Sequence, residues 1–159
     1  MEFFLTKPIH ISLDAMGGDY APDIIINGAA QAKLRYPNLI FSFFGDQTKL
    51  NPLTHALNLS SFSNVIHTNE VINSSDKPST ALRKGKNSSM GMSIQLVKSG
   101  KADAIVSAGN TGALMAMSKL ILRPIDGIIR PAIAAYFPTI NGESCMLDLG
   151  ANIECDYKN

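Results

Sequence analysis

The sequence predicts an α/β fold: a mostly parallel sheet covered by helices. Three observations carry this reading. Hydrophobic residues make up 45% of the 159 and charged residues 17%, the composition of an ordinary globular domain. Short β-forming runs alternate with apolar stripes at helical spacing, the rhythm of βαβ units. The strand runs are mostly continuous rather than cleanly alternating, as expected of strands buried on both faces. A chain of this length can bury roughly 68–70% of the surface its unfolded form exposes, enough for a core.

Each element follows from local chemistry. Ile9, Ile11 and Leu13 alternate with His10 and Ser12 until Gly17-Gly18 stops the run, so residues 8–14 read as a strand. Pro22 suits a first helical turn, where its missing N–H costs nothing. Ile26, Ala30 and Leu34 follow at helical spacing until Pro37. Residues 39–44 are a dense β-forming run closed by Gly45-Asp46, and a short helix over 47–58 and a short strand over 64–67 come next. Between Asn69 and Asn87 the chain turns polar and basic. Met90, Ile94 and Val97 then resume a helical stripe, closed by Ser99-Gly100. Residues 103–107 read as a strand that passes through Ala108-Gly109-Asn110 into a helix bearing Leu114, Met117 and Ile121 on one face, cut at Pro124. Two further strands are expected over 132–137 and 145–149, the second parallel to those at 8–14, 39–44 and 103–107.

Several function classes drop out. Fourteen Lys and Arg against thirteen Asp and Glu leave a net charge of +1, which gives no case for nucleic-acid binding. Cys145 and Cys155, ten apart with no histidine nearby, match no metal or disulfide pattern and read as reduced thiols. The stretch from Met1 to Lys7 lacks the basic region of a signal peptide. The longest uncharged stretch, 104–118, is too short and too polar at its centre to span a bilayer, so a soluble chain is expected. The strand expected to end at Leu149 has no helix after it, and the chain reads as cut short.

Three strand-end loops could gather on one edge of a parallel sheet, where clefts form in open α/β folds. The first is Asp14-Ala15-Met16-Gly17-Gly18-Asp19. The second is Ser107-Ala108-Gly109-Asn110-Thr111-Gly112-Ala113, whose small residues permit close backbone approach, whose Asn110 or Thr111 can cap a helix, and whose unpaired N–H groups favour an anion. It is neither a Walker motif nor a dinucleotide fingerprint. The third holds Asp148, Gly150 and Asn152. Lys77, Arg83, Lys84 and Lys86 form a concentrated basic stretch, read either as a solvated face or as a contact for phosphate or an acidic partner.

Taken together, these motifs resemble the acyl-carrier-protein:phosphate acyltransferase family of bacterial fatty acid and phospholipid synthesis. The resemblance rests on Leu13-Asp14-Ala15-Met16-Gly17-Gly18-Asp19 with Ala21-Pro22, on Gly45-Asp46, and on Arg83-Lys84 followed by Lys86-Asn87-Ser88-Ser89-Met90. It continues through Leu96-Val97-Lys98, the run from Ser107 to Ala116, Arg130-Pro131-Ala132 and Leu147-Asp148-Leu149-Gly150-Ala151-Asn152. Gly85 stands where a third lysine is usual, and Glu154 where aspartate is usual.

The resemblance implies a three-layer α/β/α sandwich like that of the phosphate acetyltransferase and isocitrate/isopropylmalate dehydrogenase group. It also implies exchange of the carrier protein of an acyl thioester for inorganic phosphate, with no cofactor and no metal. Family members are cytoplasmic homodimers that can associate peripherally with the membrane, where their product feeds a glycerol-3-phosphate acyltransferase. They run to about twice this length, so residues 1–159 are expected to be the N-terminal portion of one such domain, truncated after the Gly150–Asn152 loop. Asn110, Lys84 and Asp14 are then the candidate catalytic residues, with Gly109, Asn110, Thr111 and Gly112 binding phosphate. Asp14, Gly17, Gly18, Asp148, Gly150 and Asn152 organise the loops, and Arg83, Lys84 and Lys86 meet the carrier protein. The competing readings are a truncated, non-catalytic remnant that binds phosphate or carrier protein, and a related phosphate acetyltransferase-like enzyme.

Overall fold

Four parallel strands form the main sheet: β1 (Ile9–Asp14), β2 (Leu39–Gly45), β3 (Ser63–His67) and β4 (Ala104–Ser107), in the order β3-β2-β1-β4. The computed structural model describes residues 7–128 and 131–148. The chain divides into two compact units, Met1–Leu122 and Arg123–Asn159. In the first, α1 (Asp23–Arg35), α2 (Gln47–Ala56), α3 (Pro78–Lys84), α4 (Ser89–Lys98) and α5 (Thr111–Leu122) surround the sheet.

Register fixes which side chains face which helices. Leu13 lies beside Phe43 on β2 and Val106 on β4, and Asp14 beside Phe44 and Ser107. On one face Leu13, Phe41 and Phe43 pack with Ile26 and Ala29 of α1, Leu50 of α2 and Leu59. Successive strand residues point to opposite faces, so Ser12 and its neighbour Ile105 look the other way. There Met90 and Ile94 of α4 form a second core with Ala113 and Met117 of α5, Ala81 of α3 and Ile72, against which Ile105 packs. The result is a three-layer α/β/α arrangement, as the sequence predicted.

The face of β1 toward α4 is polar yet buried. Ser12 is fully buried, and its hydroxyl donates to the carbonyl of Ser93 on α4 at 3.0 Å. Ser93 in turn donates to the Ser89 carbonyl at 2.7 Å. His10 Nε2 and Ser42 Oγ are hydrogen-bonded at 2.9 Å across β1 and β2. Ser12 and Ser93 thus spend their hydroxyls on carbonyls of α4, where a buried hydroxyl without a partner would cost about 1–3 kcal/mol, whereas the buried Ser89 hydroxyl has no hydrogen-bond partner among the described residues.

Two sequence expectations change. The polar stretch between Asn69 and Asn87 contains helix α3, which starts with Pro78 in its first turn, the position where proline costs least. The strand expected over 145–149 is not parallel. In the second unit β5 (Ala134–Thr139) pairs antiparallel with β6 (Gly142–Leu147), in register from Ala134–Leu147 to Thr139–Gly142. Only Ile140 and Asn141 join them. A two-residue connection suits a hairpin, whereas parallel neighbours need a crossover of a dozen residues or more.

Asp46 caps α2, accepting from the Thr48 N–H at 2.9 Å and the Thr48 hydroxyl at 2.7 Å. The hydroxyl bond, then the backbone bond, hold this exposed carboxyl below its ordinary value. A depressed folded pKa contributes stability that is present above the unfolded pKa and is lost as pH falls through the folded one. Urea titrations of the wild type should therefore show this loss as pH falls below about 4. Asp46→Asn keeps an acceptor at the cap and should lack that part of the pH dependence; an unchanged acid slope in the variant would contradict the assignment.

Candidate functional site

Asp14 ends the central strand β1 and Ser107 ends β4, directly opposite in register. Ser107 Oγ donates to Asp14 Oδ2 at 2.7 Å and accepts from the Gly109 N–H at 3.1 Å. A carboxylate only accepts, so the hydroxyl proton is committed to Asp14 and the lone pair to Gly109. Asp14 is 1% exposed, and its Oδ1 has no hydrogen-bond partner among the described residues. That carboxylate organises the edge rather than presenting itself to solvent.

The two loops at this edge touch. A Cβ on Gly17 would fall onto the Asp14 carboxylate, and one on Gly109 would come within 3.2 Å of the Gly17 Cα. Gly18, at φ +106°, takes a backbone conformation that favours glycine. The expected adjacency of the Gly17 and Gly109 loops is thus present. Gly150 and Asn152 lie outside the described residues. Asp148 sits in the second unit, buried, with its N–H donating to the Ile133 carbonyl.

Asn110 is fully engaged by the fold. Its Oδ1 accepts from the Ala113 N–H at 2.9 Å, capping α5. Its Nδ2 donates to the carbonyls of Asn73 at 3.3 Å, Ser74 at 3.0 Å and Asp76 at 2.9 Å. One side chain therefore ties the start of α5 to the loop that precedes α3. The N–H groups of Thr111 and Gly112, both exposed, have no acceptor among the described residues. Together with the helix dipole they give this end of α5 the polarity that favours an anion. Of the turn predicted to bind phosphate, Gly109 turns its N–H inward to Ser107, and Asn110 spends its side chain on structure. Thr111 and Gly112 keep free donors.

The basic stretch approaches the same place by its beginning. A Cβ on Gly112 would lie 3.2 Å from Pro78 Cγ, so Lys77, exposed at the N-cap of α3, stands next to the open end of α5. Arg83 and Lys86 are exposed toward the other end of this segment. Lys84, the last residue of α3, is six residues from Pro78, about 9 Å along the axis.

The model of the family described as "Fatty acid synthesis protein" matches residues 9–159. The chain belongs to this family. It is 53% identical over 150 residues to the phosphate acyltransferase of Rhodospirillum centenum, covering 94% of this chain and 42% of that protein. With the phosphate acyltransferase of Rhodospirillum rubrum it shares 49% over 156 residues, 98% of this chain and 45% of the relative. With that of Azorhizobium caulinodans it shares 51% over 151 residues, 94% and 42%. The chain spans less than half the length of these curated relatives. No helix among the described residues is long and apolar enough to cross a membrane.

Sequence reasoning placed the Gly17 and Gly109 loops together but assigned no role to Ser107, whose signal was its position opposite Asp14 in adjacent strands. It also left Lys77 among undifferentiated basic residues; the following proline, a marker of helix starts, was the available clue. Asn110→Ala should remove both the cap and the three carbonyl ties. The cap alone is worth about 1 kcal/mol, so a loss of at least that size is expected in urea titrations. Faster amide exchange should appear at residues 73–81. Exchange unchanged there would show that Asn110 does not anchor that loop.

Proposed function

We propose that this chain supplies the phosphate-handling part of an acyltransferase that converts acyl-[acyl-carrier protein] and inorganic phosphate to acyl phosphate and free carrier protein, for phospholipid synthesis. The observation that carries the reading is the open pair of N–H donors at Thr111 and Gly112, in a chain whose relatives are named phosphate acyltransferases. Phosphate is itself a competent nucleophile. Its oxygen attacks the thioester carbonyl, the C–O bond forms, the C–S bond breaks, and the carrier thiolate leaves and takes a proton. The protein must hold a dianion near that carbonyl and stabilise the developing oxyanion, without a covalent side chain or a cofactor.

In this reading the α5 N-terminus holds phosphate and Lys77 adds a positive charge beside it. Asp14 acts through Ser107, bracing the Gly109 backbone, and Asn110 acts as a positioning residue through its cap and ties. Arg83, Lys84 and Lys86 steer the acidic carrier, a contribution chiefly to association rate. Gly17 and Gly18 permit the close loop contact, and Asp148, Gly150 and Asn152 organise the third loop. The enzyme is a cytoplasmic homodimer with peripheral association to the membrane, where its product meets a glycerol-3-phosphate acyltransferase.

The test joins this chain to the part of the Rhodospirillum centenum protein beyond the match and measures acyl phosphate formation. Turnover is expected with acyl-[acyl-carrier protein] and phosphate. Formation of acetyl phosphate from acetyl-coenzyme A in its place would favour a phosphate acetyltransferase-like enzyme. Gly112→Val should raise the KM for phosphate by about tenfold or more, a loss near 1.4 kcal/mol, by crowding the approach to the backbone donors. Lys77→Gln should raise it several-fold, with the difference shrinking as salt screens the charge. Phosphate kinetics unchanged in both folded variants would remove the α5 terminus from the site.

A further inference from the structure

Outside the strand-end edge, the first unit carries a groove of about 410 Å³ between α3, α4 and α5. Its floor is apolar: Leu82 from α3, and Met117, Leu120 and Ile121 from α5. The α5 residues are spaced at i, i+3 and i+4, so they form one stripe along the helix. Met117 is buried in the second core, but Leu120 is 61% exposed and Leu82 40% exposed. Lys86 and Lys98 complete the lining, and no carboxylate is among the lining residues that the structure describes. The Lys86 end is fixed, because Gln95 Nε2 donates to the Lys86 carbonyl at 2.8 Å.

Two exposed leucines in an apolar trough bordered by two lysines are more than the solvated face that a basic run suggests. An amphipathic helix laid into such a groove would bury its apolar stripe on Leu82 and Leu120, and acidic residues along its flanks would meet the lysines. The groove is also offset from the chemistry. Met117, Leu120 and Ile121 lie six to ten residues beyond Thr111 on the same helix, about 9–15 Å along its axis. An occupant seated there leaves the α5 N-terminus open and stays close enough for a flexible arm to reach it.

We infer that the α3–α4–α5 groove docks an acidic amphipathic helix of a protein partner, with Leu82 and Leu120 as apolar anchors and Lys86 and Lys98 as its charged rim. This rests on the function proposed above, under which that partner is the acyl carrier protein. It extends the contact from steering charges to a groove that includes Lys98, Leu120 and Ile121.

The test measures binding of fluorescently labelled carrier protein, in its apo form so that no acyl chain contributes, to the full chain by anisotropy at two salt concentrations. Leu82→Ser with Leu120→Ser should weaken binding about tenfold or more at both salts. Lys86→Glu with Lys98→Glu should weaken it strongly at low salt and flatten the salt dependence. The chain and its variants are run in parallel on phosphatidylglycerol vesicles and in sedimentation velocity. Wild-type binding to the carrier that neither pair alters, in variants with native circular dichroism, overturns the inference while leaving the acyl phosphate assay to stand by itself. Loss of vesicle binding or of self-association in the variants, with carrier binding intact, overturns it in favour of a membrane or a second copy of the chain. No binding of carrier by the wild type overturns it too, and the proposed function is then judged by acyl phosphate formation alone.

Discussion

The site depends on one pairing: β1 against β4, in the register that sets Asp14 opposite Ser107. From it follows a chain of hydrogen bonds from carboxylate to hydroxyl to the Gly109 N–H. Because a carboxylate cannot donate, the direction of every bond in that chain is forced, and the β4–α5 turn has one arrangement. Shifting either strand by one residue would turn Asp14 or Ser107 to the other face. The Gly17 loop is shaped by the same constraint, since any side chain there would displace the carboxylate.

A buried acid beside a proposed anion site is at first sight a contradiction. Its resolution lies in geometry. Asp14 is turned into the protein and spends one oxygen on Ser107, whereas the free N–H groups of Thr111 and Gly112 face solvent beyond the turn. Negative charge is used to fix backbone, and the backbone dipoles left free have the sign that favours negative charge. Asn110 repeats this logic with a neutral amide, capping α5 with its oxygen and holding the 73–76 loop with its nitrogen. Asp14, Gly109 and Asn110 each spend a polar group on the architecture around the proposed site.

The polar face beneath α4 serves the same end. Serines at 12, 89 and 93 occupy positions where larger apolar residues would hold the helix away from the sheet, and Met90, at the start of α4, packs toward Gly109. α3, α4 and the Lys86 turn between them lie in the layer that also carries α5. The open groove on that layer's outer surface and the proposed anion site at its end then share one helix, α5.

Much of this was legible in the sequence because it is local. Alternation in 9–13, the dense run at 39–44 and the glycine-rich strand-to-helix turn at 107–113 carry their own physical reasons, and the structure places an element at each. The grouping of Gly17 with Gly109 was also legible, since parallel strands put their carboxyl ends on one edge. Pairing partners were not. The direction of the strand near 145 depends on a two-residue connection to a neighbour that its own pattern does not name, and α3 is too short and polar to show a hydrophobic period. The division of labour within the 107–113 turn was likewise decided by tertiary structure alone. Whether an N–H or an amide is free for a ligand depends on which distant acceptor reaches it, and the acceptors for Asn110 lie 34 to 37 residues away in the chain.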